Sequence, residues 1–320
     1  MTLLEMLPWL ALPTAFVLDA CCGDPRHLPH PVRWMGRAIE IAEPFFRRLF
    51  TRELLAGLAF AVVLILGSWG LAACTVGMSY RIHGVLGFAV ETVLLFYCFS
   101  ARSLAQAGME IHALLVSGEV DQARGKVAMI VGRDVEQYQA DDIGRATVET
   151  VAENVVDGVL APLFFAVIGG APLAIAYKMV NTLDSMVGYR NRRYVLFGRA
   201  AARIDDAANF LPARLAVPLI ALAAWLIGIA GRSALVTAWH EGRQHASPNA
   251  GYPEAAFAGA LGVQLNGPNT YGGVLVEKPY IGVGLAAVQT YHIHQACRLM
   301  FVTSVLGCGV GWLISLLVFL

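Results

Sequence analysis

Glu149, Glu153 and Asp157 stand at four-residue intervals in E-T-V-A-E-N-V-V-D-G, so a helix puts the three carboxylates on one face with Asn154 beside them. Like charges at that spacing repel by about 0.2–0.5 kcal/mol per pair, so the arrangement asks for a cation between them. Lys178, Asn181 and Ser185 recur at helical spacing in Y-K-M-V-N-T-L-D-S-M-V-G-Y-R-N-R-R, and Asp184 lies one turn past Asn181. Asp205 or Asp206 with Asn209 repeats the pattern in R-I-D-D-A-A-N. Ordinary amphipathic helices would carry Lys, Gln or Ser between such acids on a solvated face. Here the intervening residues are Val, Ala, Leu and Met, and each cluster adjoins a long uncharged segment. The block from Glu149 to Asn209 reads as a polar site built at a membrane boundary.

Carboxylates with Asn and Ser oxygens are hard ligands and suit Mg²⁺, which binds through one or two carboxylates together with substrate phosphates. Arg190, Arg192, Arg193, Arg199 and Arg203 form the densest basic cluster. It fits either a juxtamembrane anchor on anionic lipid or a phosphate-binding set, for which planar guanidinium groups are well shaped. Other chemistries fail on spacing. His240-Glu241 with His245 is not H-E-x-x-H, and His292 and His294 fall on different faces of a helix. Gly125-Lys126 lacks both the preceding glycine at the right distance and the following Ser or Thr of a phosphate loop. Gly282-Val-Gly284 has no βαβ unit around it. There is no Cys/His zinc set and no G-x-S-x-G elbow. The residues thus favour Mg²⁺–phosphate chemistry near a membrane. A nucleotide-dependent ligase and a diphosphate-using prenyl- or alcohol-phosphotransferase both remain open.

The elements that must position these groups follow from composition. The 320 residues are 57% hydrophobic and only 14% charged, with mean hydropathy +0.61, against about 25% charged in a soluble domain. That places the chain in a bilayer. Lys+Arg and Asp+Glu number 23 each, so charge balance points to no nucleic-acid partner. The six cysteines form no C-x-x-C pair and several lie in apolar runs, which predicts buried or reduced thiols. Residues 1–18 have no basic n-region, which argues against a cleaved signal peptide and for a bent span or interfacial helix. The Pro- and Gly-dense stretch that follows predicts an ordered loop holding Asp19 and Asp24 within a basic segment, residues 19–53, on the cytoplasmic side.

Residues 54–101 predict a helical hairpin with Glu91 inside its second arm, facing the bundle or protonated. Residues 102–148 predict short amphipathic cytoplasmic helices, 149–214 the active-site core, 232–298 a Gly/Pro/Asn-rich binding loop, and 299–320 a final span. Residues 158–177 are uncharged but broken at Gly169-Gly170-Ala171-Pro172, leaving halves too short to cross alone. A re-entrant hairpin there keeps the flanking polar clusters on one side. The expected fold is therefore all-α: a single polytopic integral membrane helical bundle with a re-entrant hairpin and cytoplasmic loops.

Five stretches resemble the adenosylcobinamide-phosphate synthase family of cobalamin biosynthesis, the CobD/CbiB family. They are L-D-A-C-C-G-D-P-R-H-L-P-H-P-V from Leu18, E-T-V-A-E-N-V-V-D-G-V-L-A-P-L-F-F from Glu149, Y-K-M-V-N-T-L-D-S-M-V-G-Y from Tyr177, R-I-D-D-A-A-N from Arg203, and S-P-N-A-G-Y-P-E-A-A-F-A-G-A-L from Ser247. In L-N-G-P, Asn266 stands where a glycine is expected. The resemblance implies a bacterial inner-membrane carbon–nitrogen ligase with its active site facing the cytoplasm. It would join aminopropanol phosphate, or a related amino alcohol, to a carboxylate of adenosylcobyric acid, using ATP and Mg²⁺ and giving adenosylcobinamide phosphate. Other corrinoid-pathway enzymes are its expected partners.

On this reading Glu149, Glu153, Asp157 and Asp184 serve catalysis, and Glu153, Asp157, Asp184 and Asp205 hold metal. Lys178, Arg190, Arg192 and Arg203 hold phosphates, and Asn181, Ser185 and Asn209 orient ligands. Asp24, His30, Asn249 and Lys278 complete the site from loops. Two rivals are a Mg²⁺-dependent membrane transferase using a diphosphate substrate and a non-catalytic membrane sensor or scaffold.

Overall fold

The computed structural model describes residues 3–24, 30–189 and 191–319. Among the described residues thirteen α-helices, one π-helical turn and four very short strands follow in order. The chain clusters into two compact units: residues 1–100, 161–209 and 308–320, and residues 101–160 and 210–307. Among the described residues four helical stretches, Glu53–Ile82, Gly84–Val116, Ala140–Val187 and Thr290–Leu317, are long and apolar enough to cross a bilayer. The protein is a multi-pass, all-helical membrane protein.

The first unit opens with α1 (Leu3–Cys22), bent around Pro8 and Pro13, which packs on α4 (Gly84–Phe96). Asp19 lies in α1 and is buried, rather than in the expected loop. The segment read as a basic loop is mostly helical as well. Pro31 opens α2 (Pro31–Leu49) at a position where a missing N–H and a fixed φ suit a helix start, and His30 caps it by accepting from Val32 N at 3.2 Å. Local Pro density marked a helix boundary here, not an absence of helix. Glu43 on α2 is buried and accepts hydrogen bonds from Arg47 Nε at 2.8 Å, Arg193 Nη2 at 3.1 Å and Tyr194 Oη at 3.3 Å. Arg193 is thereby committed to a structural ion pair.

The helix α3 (Glu53–Ile82) is apolar all round, with Leu58, Val62 and Leu66 exposed as a lipid-facing surface demands. It packs on α4 and on α8 (Ala161–Val187). In α8 the helix is interrupted at Gly169 (φ −148°, ψ 25°) and Gly170 (φ 65°, ψ −161°), the break a re-entrant hairpin requires. Such a break frees backbone N–H groups where no water can take them. Glu91 answers it: its Oε1 accepts from Ala171 N at 3.3 Å, and Tyr80 Oη donates to its Oε2 at 2.8 Å. The acid in the second arm of the hairpin is thus turned into the protein to cap the broken helix. After α8 come a turn and α9 (Arg199–Ala208).

The second unit contains α5 (Ala101–Val116), α6 (Val120–Val127) and α7 (Ala140–Val155), the last running straight into a π-helical turn at Val156–Leu160. It continues with α10 (Phe210–Leu226), α11 (Gly231–Glu241) and α12 (Gly251–Leu261), which pack on one another. Residues 232–298, expected as a Gly/Pro/Asn-rich loop, therefore hold most of α11, all of α12 and the start of the last helix, and a glycine there serves as a packing position. A Cβ on Gly259 would fall 2.3 Å from Ser233 O, so only glycine lets α12 lie against α11. Beyond α12, β1 (Leu265–Asn266) pairs with β4 (Tyr280–Ile281), and β2 (Asn269–Tyr271) pairs with β3 (Val274–Val276) as a hairpin. The chain closes with α13 (Thr290–Phe319).

Gly170 occupies backbone space that is nearly glycine-only, and a Cβ there would fall 2.7 Å from Glu91 Oε1. Gly170→Ala is therefore expected to cost about 1–3 kcal/mol, read as a lower melting temperature in detergent. Glu91→Leu should lower it further than Glu91→Gln, which can still accept from Ala171. Unchanged melting for both Gly170→Ala and Glu91→Leu would refute the capping role.

Candidate active site

A polar cavity of about 220 Å³ lies in the second unit, lined by Arg133, Glu149, Thr150, Glu153, Asn154, His245, Glu254, Asn266, Tyr271 and Lys278. Three elements of different character converge on it. From α7, Glu149 and Glu153 reach it from one face, as their four-residue spacing predicts. Asp157, the third member of that series, does not line it. Winding changes from α to π at Val156, so the 3.6-residue periodicity ends before Asp157 is reached.

Glu149 is buried and fully engaged. Arg133 Nη2 donates to its Oε2, Asn266 N donates to its Oε1 at 2.7 Å, and Arg145 Nε lies 3.8 Å from Oε1. Burial alone would lower the Arg133 pKa, but the Glu149 carboxylate more than offsets it and holds the guanidinium charged. From α12, buried Glu254 accepts from Asn266 Nδ2 at 2.6 Å. Asn266 therefore ties both acids together, its main chain on one and its side chain on the other. It does so with φ 62°, the left-handed conformation that glycine, and among other residues chiefly Asn and Asp, adopt. The glycine expected at this point is replaced by a residue that keeps the backbone shape and adds a donor.

The carboxyl of Glu254 is raised above its ordinary range by burial first, then by the negative charges of Glu153 and Glu149. Three carboxylates face two permanent cations, Arg133 and Lys278, so holding Glu254 neutral balances the cavity. His245 Nδ1 accepts from Ser247 N at 3.0 Å, which leaves the proton of the neutral ring on Nε2, 3.9 Å from Glu254 Oε1. Burial, and then the Lys278 charge, lower the His245 pKa and keep it in that neutral form.

The β2–β3 hairpin supplies Tyr271, and Lys278 follows it, with Lys278 Nζ donating to Tyr271 Oη at 2.6 Å. The hairpin is pinned by Asp134, whose carboxylate accepts from Gly272 N and Gly273 N at 3.1 and 2.7 Å, and by Tyr138 Oη, which donates to Asn269 Oδ1 at 2.7 Å.

Other expected residues fall elsewhere. In the first unit, Asp184 on α8 is close enough to Asp206 on α9 for their charges to interact. Asn209 Nδ2 donates to Asp205 Oδ2 at 3.0 Å, and buried Tyr177 Oη donates to Asn209 Oδ1 at 2.9 Å. Asp205 thus orients Asn209, whereas the acid beside Asp184 is its sequence neighbour. Lys178, Asn181 and Ser185 share α8 with Asp184, the Ser185 hydroxyl donating to Thr182 O at 3.0 Å. Arg203 is exposed with Asp206 at 3.6 Å, and Arg192 is exposed. Asp24 meets His30 Nε2 at 3.3 Å as part of the α2 start. Arg190 lies outside the described residues. Asn249 is buried under Arg214 in the second unit and does not line the cavity.

Among the described residues no three or more His, Cys, Asp or Glu side chains are grouped to hold a metal by themselves. Of the four acids expected to hold metal, Glu153 lines this cavity, whereas Asp157 does not and Asp184 and Asp205 belong to the first unit.

Sequence reasoning missed Arg133, His245, Glu254, Asn266 and Tyr271 as members of one site. The available signal was Glu254, an isolated acid in the apolar run P-E-A-A-F-A-G-A-L.

The family model described as CobD/Cbib protein matches residues 12–300. The chain is 48% identical to cobalamin biosynthesis protein CobD of Klebsiella pneumoniae over 95% of each chain. It is 46% identical to cobalamin biosynthesis protein CbiB of Salmonella choleraesuis, over 93% of this chain and 94% of that one. It is 43% identical to cobalamin biosynthesis protein CobD of Photorhabdus laumondii over 98% of each. No solved structure matches it.

Two measurements check the site. Asn266→Ala should melt below Asn266→Gly, and both below the parent. Each loses the donor to Glu254, but only alanine adds the left-handed strain of about 1–2 kcal/mol; the reverse order would refute the role given to that backbone. Because the folded state holds the Glu254 proton to higher pH than the unfolded chain, stability contributed by this group falls as pH rises from its ordinary value of 4.5 through its folded value. Melting of Glu254→Gln should be flatter than the parent over that window, and parallel profiles would overturn the assignment.

Proposed function

The chain belongs to the CobD/CbiB family, and on that premise we propose that it is the ATP- and Mg²⁺-dependent ligase that joins aminopropanol phosphate, or a related amino alcohol, to a carboxylate of adenosylcobyric acid. Its role lies in cobalamin biosynthesis. The observation that carries the chemical reading is the second-unit cavity, where three carboxylates, two cations and a neutral histidine meet.

A carboxylate is a poor acyl donor, and ATP with Mg²⁺, when bound, supplies the phosphoryl group and charge neutralisation that make it a competent one. The chain's own groups account for the rest. Arg133 keeps N–H donors beyond the one given to Glu149, and with Lys278 it binds the anionic oxygens of phosphate or carboxylate. Glu153 is exposed at the cavity and accepts the proton that the attacking ammonium must lose. As the C–N bond forms and the acyl C–O bond to phosphate breaks, His245 Nε2–H donates a hydrogen bond to the departing phosphate oxygen and keeps its proton. Glu149, Glu254 and Asn266 fix these positions. A volume near 220 Å³ admits the reacting ends of the substrates and excludes a macrocycle, which stays outside.

The same reading gives the first-unit set, Lys178, Asn181, Asp184 and Ser185 on α8, Arg192 in the turn after it, Arg203 and Asp205 on α9 and Asn209 at its end, to the metal–nucleotide. The basic segments support a bacterial inner-membrane location with the reaction on the cytoplasmic side.

Purified protein in detergent, given adenosylcobyric acid, aminopropanol phosphate, ATP and Mg²⁺, should form the amide, read by mass. Glu153→Gln is expected to lower turnover by about 10²–10⁴-fold, and Asp184→Asn to abolish it, with melting retained. Full activity in both variants sinks the residue assignment. Turnover without ATP instead favours a diphosphate-using transferase.

A further inference from the structure

A second cavity of the same unit, about 430 Å³, has a different chemistry. It runs between α10, α11 and α12, with walls of Val217, Pro218, Leu235, Val236 and Trp239, and its polar lining is Arg214, His240 and Tyr252. We infer that this groove binds one anionic phospholipid, the headgroup phosphate on Arg214 and Arg243 and an acyl chain along the apolar wall of α11.

The Arg214 guanidinium is held rigidly by neutral partners alone. It donates to Phe210 O at 2.6 Å, Asn249 Oδ1 at 3.1 Å and Pro248 O at 3.4 Å, and lies 3.6 Å from the centre of the Phe210 ring and 4.5 Å from that of Tyr252. Arg243 Nε donates to the Tyr252 hydroxyl at 3.4 Å. Among the described residues neither arginine has a carboxylate within salt-bridge distance, so two oriented cations flank one phenol with their charge uncompensated. A phosphate diester is the planar-fork acceptor that such groups recognise.

The apolar wall supplies the second half of the argument. Leu235, Val236 and Trp239 are 45%, 48% and 82% exposed in a chain with four segments able to span a bilayer. Arg214 lies one turn before Val217 and Pro218 on α10, so charge and apolar surface adjoin along a single helix. A free inorganic anion would use the arginines and leave that wall wet, whereas a zwitterionic lipid would cover the wall but bring its own ammonium charge beside two uncompensated guanidinium groups. An anionic lipid both covers the wall and neutralises the arginines, and an exposed indole beside them is the kind of side chain enriched at headgroup level. The volume falls within the range of about 300–1,000 Å³ usual for small-molecule sites. The site is separate from the polar cavity and does not depend on the reaction proposed for it.

The test reconstitutes the full chain in nanodiscs of phosphatidylcholine and adds a small mole fraction of either phosphatidylglycerol or phosphatidylcholine with brominated acyl chains. Quenching of Trp239 is taken as the difference between the parent and Trp239→Phe. The brominated phosphatidylglycerol should quench several-fold more than the brominated phosphatidylcholine. Arg214→Gln or Arg243→Gln should bring the ratio towards one. Arg243 makes a single hydrogen bond to a side chain, so its variant remains informative if Arg214→Gln fails to fold. Equal quenching by the two lipids, or a preference unchanged in Arg243→Gln, would each overturn the inference.

Discussion

Asn266 holds two buried acids at fixed positions with one residue, and the second-unit cavity depends on that constraint. Its N–H is given to Glu149 and its side-chain amide to Glu254, two carboxylates separated by 105 positions in the chain. Both bonds exist only because the backbone at Asn266 turns into the left-handed region, which aims main chain and side chain at different partners. Without those donors, Glu149 would keep only its arginine partners and buried Glu254 would lose the amide that fixes its carboxyl.

Charge balance follows from that geometry. Glu149 is neutralised by Arg133, Glu254 is driven toward its protonated form, and His245 is held neutral. Glu153 and Lys278 line the same cavity, and the proposed reaction uses them as base and cation. The site is preorganised because its second layer is rigid: Asp134 and Tyr138 fix the hairpin that brings Tyr271 and Lys278. Preorganised dipoles and charges in a small, partly dry cavity are what make electrostatic stabilisation of a transition state effective.

The first unit is governed by a different requirement, that no backbone polar group remain unpaired in lipid. The interruption of α8 at Gly169–Gly170 creates such groups, and Glu91 meets them from the neighbouring hairpin. An acid within an apolar span is usually taken as a functional group, but here its partners are a main-chain amide and a tyrosine hydroxyl. Further along α8, Tyr177 and Asn209 form a buried polar pair that fixes Asp205, while Asp184 is close enough to Asp206 for their charges to interact.

The sequence by itself determined the membrane class, the apolar spans, the break in α8, the family, and the pairing of Glu149 with Glu153 on one face of α7. Each of these is a local property: composition, period, or a run of residues long enough to be specific. Helix limits around Pro31 and in residues 231–261 were less legible, since Pro and Gly signal a helix start or a close contact as readily as a loop. Only the tertiary structure decided which cation neutralises Glu149, that Glu254 and His245 join it, that Asp157 leaves the series at the π turn, and that Arg193 and Asn249 belong to structural contacts. Those outcomes depend on which residues distant in sequence are packed within hydrogen-bond distance, and no local period encodes that choice.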